Sequence, residues 1–192
     1  FPGVVIPITV GRDKSIKLIQ DANKGDKVIG VVSQKDDQIE EPSLEHLFEV
    51  GTIARILKMF RMPDGNTTVI IQGKKRFKLL EMLETEPYLK AKIAPYEVSK
   101  TPTDAKFDAL VSSIKDMALR IIEQSPNIPS EASFAIKNIE SSSYMINFIA
   151  SNMNAEVSDK QKLLVEPDIR TRAELLLQYV TKEMKLLELK ND

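Results

Sequence analysis

The chain has 192 residues, 42% hydrophobic and 29% charged, with a formal net charge of −1. Residues 1–100 carry 16 basic and 14 acidic side chains and residues 101–192 carry 11 and 14, so neither half has the charge excess of a general nucleic-acid binder. The absence of cysteine excludes a disulfide framework and thiol chemistry, and no apolar run approaches the ~20 residues that span a bilayer.

Residues 4–10 (VVIPITV) read as a short apolar strand, confined by Pro7 to a sheet edge or a bulge because proline cannot donate to a ladder. Ser15–Lys24 reads as a helix with Ile16, Leu18 and Ile19 inward, closed at Lys24-Gly25 by a left-handed cap. Lys27–Gln34 is a continuous apolar run, which predicts a buried strand, and the acidic, proline-containing stretch Asp36–Ser43 predicts a loop. Two apolar, β-branched runs, Thr52–Met59 and Thr67–Ile71, then flank Pro63-Asp64-Gly65-Asn66. Pro63 presets φ for a turn and Gly65 tolerates positive φ, so the pattern predicts a long antiparallel hairpin with its tip at 63–66. Gly73, inside the returning strand, marks a bulge or bend. The basic run Lys74-Lys75-Arg76 follows, and Phe77 and Leu79 resume the strand pattern. Leu80–Val98 continues extended, broken at Thr85-Glu86-Pro87, with Leu89, Ala91 and Ile93 alternating against Tyr88, Lys90 and Lys92.

Composition shifts at Ser99–Thr103, a linker, and beyond it the period changes from two to 3.6. Phe107, Leu110, Val111, Ile114, Met117, Ala118, Ile121 and Ile122 form one apolar helical stripe, stopped by Pro126 and Pro129. Ser130 is placed to cap a short helix reaching Ile139, and Ser141–Ser143 to cap the next, with Met145, Phe148, Ile149 and Met153 inside. Ser158 and Gln161 have capping-box spacing for a helix ending near Glu166. A last helix starts near Asp168, with Ala173, Leu177, Val180, Met184 and Leu187 at 4-3-4-3 spacing. The fold class expected is α+β: a mostly-β subdomain with one helix over residues 1–100, then a helical bundle over 101–192 that ends in a long helix.

The residues offer little chemistry. The one histidine, His46, falls in an expected loop, and zinc needs about four Cys, His or carboxylate ligands, so no metal site is expected. Asp36, Asp37, Glu40 and Glu41 cluster without calcium-loop spacing. Gly73-Lys74-Lys75 lacks the glycine five residues upstream of Gly73 and the following Ser/Thr of a phosphate loop. Ser113 and Lys115 point to different helix faces, and nothing singles out a buried lysine for a Ser–Lys dyad. No catalytic, cofactor-binding or metal-binding residue is therefore assigned. Two groups remain as binding candidates. Met59, Phe60 and Met62 lie beside the hairpin tip, where alternation cannot bury both faces and methionine adapts to varied partners. Arg12, Asp13 and Lys14 open the first helix, and read either as a recognition or inter-subunit surface or as ordinary helix-start charges.

The chain also resembles a known family. Phe1-Pro2-Gly3, Ile6-Pro7, Val10-Gly11-Arg12-Asp13-Lys14-Ser15-Ile16, Gln34-Lys35, Glu49-Val50-Gly51-Thr52, Ala54-Arg55-Ile56-Leu57, Pro63-Asp64-Gly65 and Gln72-Gly73 resemble the amino-terminal domain of Lon proteases. Asp159-Lys160-Gln161 with Leu163-Leu164 resembles the family's helix before a long terminal helix. The resemblance is specific over residues 1–80 and looser after 100. It implies a PUA-like β fold for the first part and a non-catalytic role in an ATP-dependent AAA+ protease of protein quality control. That role is to engage unfolded, damaged or regulatory protein substrates and help arrange the hexamer. The family's nucleotide site and Ser–Lys dyad lie in later domains, so an excised fragment without enzyme activity is expected, with no cofactor. The implied partners are client proteins and other Lon subunits, with no membrane and no nucleic acid, in the bacterial cytoplasm rather than the mitochondrial matrix. Relatives carry a further strand before the FPG motif, and its loss is expected to leave an unpaired sheet edge. A PUA-like RNA-binding module, with Lys74-Lys75-Arg76 and Phe77 as its contact, is the alternative, and a stand-alone LON-domain protein is a third.

Overall fold

The computed structural model describes residues 1–191 and divides the chain into two compact units, Phe1–Glu97 and Val98–Asp192. The first is built on a five-stranded antiparallel sheet. Its elements are β1 (Val5–Val10), α1 (Asp13–Lys24), β2 (Val28–Val31), a single 3₁₀ turn at Leu44–His46, β3 (Val50–Arg61), β4 (Thr67–Glu84) and β5 (Lys90–Pro95). Strand order is β1-β4-β3-β2, with β5 also on β4. No strand follows β5 among the described residues. Pro7 thus sits on an edge strand, as its missing N–H requires.

The hairpin is longer than the β-branched runs alone predict. At its tip the Gly65 N–H donates to the Met62 carbonyl (3.1 Å) and the Met62 N–H to the Asn66 carbonyl (2.8 Å). Asp64 Oδ1 accepts from the Asn66 N–H (3.0 Å), and Gly65 has φ +90°. This is a turn opened by Pro63 and closed by a left-handed glycine, a conformation that strains any residue with a β-carbon.

Two register shifts break the β3–β4 ladder. Ile53 pairs with Lys75 but Ala54 with Gly73, so Lys74 is an extra residue beside Gly73. A β-carbon on Gly73 would overlap the Phe1 carbonyl oxygen, so the glycine also admits the chain's first turn. Further along, Ile56 pairs with Ile71 but Lys58 with Ile70, leaving Leu57 extra. Each shift of one residue exchanges the two faces of a strand.

The core of the first unit joins Ala54 and Ile56 of β3 and Val69 and Ile71 of β4 to Val10, Ile29 and Ile19. Ile16, Leu18 and Ala22 of α1, and Ile6 and Ile8 of β1, pack against it. Three expectations are corrected here. The helix begins at Asp13, two residues early, because Arg12 takes the N-cap position. Gly25 has φ −101°, and the left-handed residue is Lys27. β2 is a short edge strand whose Val28 is exposed, since only β3 pairs with it.

The second unit contains α2 (Ala105–Gln124), α3 (Glu131–Lys137), α4 (Ser142–Asn152), α5 (Val157–Val165) and α6 (Ile169–Asn191). α2 buries Phe107, Val111, Ile114, Ala118 and Ile121 at helical spacing. Asp104 caps it, accepting from the Phe107 N–H at 2.9 Å, and also pairs with Arg170. Ser141 caps α4 (Tyr144 N–H, 3.2 Å). Ser130 occupies a helical φ/ψ and makes no side-chain cap bond. Ser158 lies inside the first turn of α5, so the capping box expected with Gln161 is replaced by Glu156 at the N-cap, again without a side-chain bond. Along α6 the buried residues are Ile169, Arg172, Ala173, Leu176, Val180 and Met184. Leu176 rather than Leu177 therefore faces the core. The buried Arg172 donates from Nε to the Glu166 carbonyl at 3.1 Å, which joins α6 to the end of α5.

Candidate functional site

Arg12 and Lys14 fasten loops. Arg12 donates to Gln34 Oε1 (2.9 Å) and to the carbonyls of Asp37 (3.1 Å) and Glu40 (3.3 Å), which holds the acidic loop after β2. Lys14 Nζ lies 3.1 Å from Glu41 and 2.7 Å from Glu86, and donates to the Thr85 carbonyl at 3.2 Å. The carboxylates of Glu86 and Glu41 raise the Lys14 pKa, since both favour the ammonium form. Asp13 stands exposed in the first turn, at the positive end of the helix dipole. This corner is tied up by its own loops, and its two cations are already satisfied.

The hairpin behaves differently. Four rows of paired residues cross the sheet on the face turned away from α1. Lys75, Ile53 and Gly30 form the first; Val5, Gln72, Arg55 and Val28 the second; Pro7, Ile70 and Lys58 the third; Thr9, Thr68 and Phe60 the fourth. Val5 is 49% exposed, Phe60 42% and Met62 43%, and Val28 and the bulged Leu57 are similarly open. The Lys58 ammonium stands 5.7 Å from the centroid of the Phe60 ring. Met59 falls on the opposite side and packs against the core. The bulge at Leu57 decides this division. Without it, Phe60 would share the face of Ala54 and Ile56, which are buried.

Sequence reasoning misplaced part of the apolar supply and missed the cations. Val4, just before β1, is buried, and Ile6 and Ile8 pack on the core, so of these aliphatic residues Val5 alone reaches the open face. Arg55 and Lys58 were not singled out. Simple alternation puts them on opposite faces, and only the bulge brings them to one.

The remaining candidates are structural. His46 Nδ1 accepts the Ser43 N–H at 3.0 Å, closing the 3₁₀ turn. Among the described residues no group of three or more His, Cys, Asp or Glu is placed to hold a metal ion. In the basic run Lys74 and Lys75 are exposed, but Arg76 and Phe77 are buried, so the aromatic neighbour cannot stack on a base. A shallow groove between Ser43–Glu49 and Lys78–Leu80 carries Leu44, Leu79 and Leu80 with charges of both signs, namely Lys35, Lys78, Glu45 and Glu49. No helix among the described residues is long and apolar enough to cross a membrane.

The family model for the ATP-dependent protease La (LON) substrate-binding domain matches residues 1–182. The chain is 55% identical over 195 residues to the Lon protease of Flavobacterium johnsoniae, covering all of this chain and 24% of that protein. It is 48% identical over 193 residues to the Lon protease of Cytophaga hutchinsonii, again covering all of this chain and 24% of that protein. It thus spans about a quarter of the curated relatives it matches. Among solved structures, the N-terminal domain of Mycobacterium avium complex Lon protease superposes with a TM-score of 0.74 at 18% identity, over 94% of this chain and 91% of that one. A Lon N-terminal domain protein from Xanthomonas campestris gives 0.62 at 18%, over 93% and 90%. These neighbours share the mixed α+β fold.

Proposed function

The chain belongs to the family of LON substrate-binding domains, and from that premise we propose that it is the client-engaging, non-catalytic module of a Lon-type ATP-dependent protease. In this reading it holds unfolded or regulatory protein segments while other parts of the enzyme unfold and cut them. It also helps arrange the subunits of a homo-hexamer in the bacterial cytoplasm. Weak capture at each copy gains strength when several copies act on one client.

The observation that carries the reading is the open sheet face with Val5 and Phe60 exposed on regular strands and Met62 exposed just past the end of β3. Apolar side chains gathered on one face, rather than scattered singly, make the kind of patch that folded proteins use for binding. Arg12 and Lys14 serve the module indirectly, by holding the loops around α1. The RNA-binding alternative loses its contact point with the burial of Arg76 and Phe77.

The test is binding of a reduced, carboxymethylated protein to the 192-residue chain, followed by fluorescence anisotropy. Phe60→Ser with Met62→Ser should weaken binding roughly tenfold, the equivalent of about 1.4 kcal/mol, with the circular dichroism spectrum unchanged. Unchanged affinity, or an unfolded first unit, would show that the face is not the client surface.

A further inference from the structure

We infer that this face selects clients by charge as well as by apolarity, taking an extended protein segment that sets carboxylates beside large apolar residues at alternate positions. The inference rests on the substrate-binding reading and names the class of segment. Arg55, Lys58 and Phe60 succeed one another on the outer side of β3, as the pairs Arg55–Gln72, Lys58–Ile70 and Phe60–Thr68 require, and the exposed Met62 follows just beyond the strand's end. Same-face neighbours on a strand stand about 7 Å apart. They form a ladder of two cationic rungs and then an apolar one, which Met62 extends toward the hairpin tip. The Lys58 ammonium over the Phe60 ring joins the two halves.

Neither Arg55 nor Lys58 takes part in an ion pair among the described residues. The other charged side chain in these rows is Lys75, itself a cation, and Lys74 from the bulge donates to Gln72 at 3.0 Å. A locally positive face on a chain of net charge −1 is a feature of placement, not of composition.

An extended client has the same pitch as the ladder, so its side chains at i, i+2, i+4 and i+6 meet successive rungs. Glu or Asp at i and i+2 would face Arg55 and Lys58, and Leu, Ile or Phe at i+4 and i+6 would face Phe60 and Met62. A nucleic acid fits less well. Its affinity comes from many neutralised phosphates and repeated aromatic stacking, and these rows offer three cations and one aromatic ring.

The experiment uses the 192-residue chain and three dye-labelled eleven-residue peptides. They are identical except for Glu, Gln or Lys at the two charge positions, and all carry Leu and Phe at the apolar ones. The Glu peptide should bind roughly fivefold or more tightly than the Lys peptide at low salt, because exposed pairs are each worth a few-fold. At 1 M salt, where the Debye length is about 3 Å, the difference should vanish. Arg55→Glu with Lys58→Glu should reverse the order, with folding checked by circular dichroism. If all three peptides bind equally and still depend on Phe60 and Met62, charge selection is wrong and the substrate-binding reading stands. If none binds, both fall. An order that survives the double reversal assigns the selection to other residues, and displacement of the Glu peptide by oligouridylate makes the face a nucleic-acid surface; either overturns the inference.

Discussion

Leu176 and Leu177 are adjacent on α6, and their truncations should differ sharply. Leu176 is fully buried in the helical unit, whereas Leu177 lines a shallow surface groove with Gln178, Thr181, Lys182 and Lys185. Leu176→Ala loses about 2 kcal/mol of transfer free energy, and the unfilled space brings the total to about 3 kcal/mol. Leu177→Ala removes a side chain that stays partly wet, and should cost less than about 1 kcal/mol. For a unit of this size each kcal/mol moves the melting temperature by roughly 4–8 °C. Leu176→Ala should therefore lower the helical transition by at least about 12 °C and Leu177→Ala by a few degrees. Circular dichroism at 222 nm during heating, with urea titration as a second measure, reads both. A larger loss from Leu177→Ala than from Leu176→Ala would refute the assignment of which α6 face is buried.

At the hairpin tip, Gly65→Val should cost about 1 kcal/mol or more, because φ is +90° although no neighbour lies within 4 Å of an added β-carbon. Gly65→Asn should cost less, since asparagine tolerates that region, and equal losses in urea midpoints would show that the backbone angle is not the cause. The acid limb of stability should depend on two helix-start carboxylates. The Arg170 guanidinium and then the Phe107 N–H hold the Asp104 pKa low, and the Thr171 hydroxyl and N–H do the same for Asp168. Folding lowers both values, so their stabilisation is complete above the unfolded value near 4 and is lost as pH falls through the folded values. Asp104→Asn should flatten the fall in melting temperature below about pH 4, and an unaltered limb would exclude this carboxylate as a source of acid sensitivity.

Much of this architecture is legible in the chain because it rests on local rules. Pro63-Asp64-Gly65 fixes a turn by backbone angles alone, the change of period near residue 100 separates sheet from helices, and Phe107 to Ile121 marks one buried stripe. The family motifs likewise lie in continuous runs. Caps were less legible, since Ser130 and Ser158 have the right residue type but the neighbouring backbone places the helix start elsewhere. The 4-3-4-3 pattern of α6 chose Leu177, because a stripe of leucines does not say which of two neighbours meets a partner helix.

The sequence offered Met59, Phe60 and Met62 as candidates, and the tertiary fold decided which side of the sheet the strand residues take. Uninterrupted alternation from Ala54 and Ile56 would have put Lys58 and Phe60 on the buried face and Met59 on the open one. One extra residue, Leu57, turns Lys58 and Phe60 outward beside Arg55 and Met59 inward. Its presence depends on how β4 matches β3 across the ladder. That match is set by the long-range packing of Ile56, Val69 and Ile71 with α1, which no window along the chain contains.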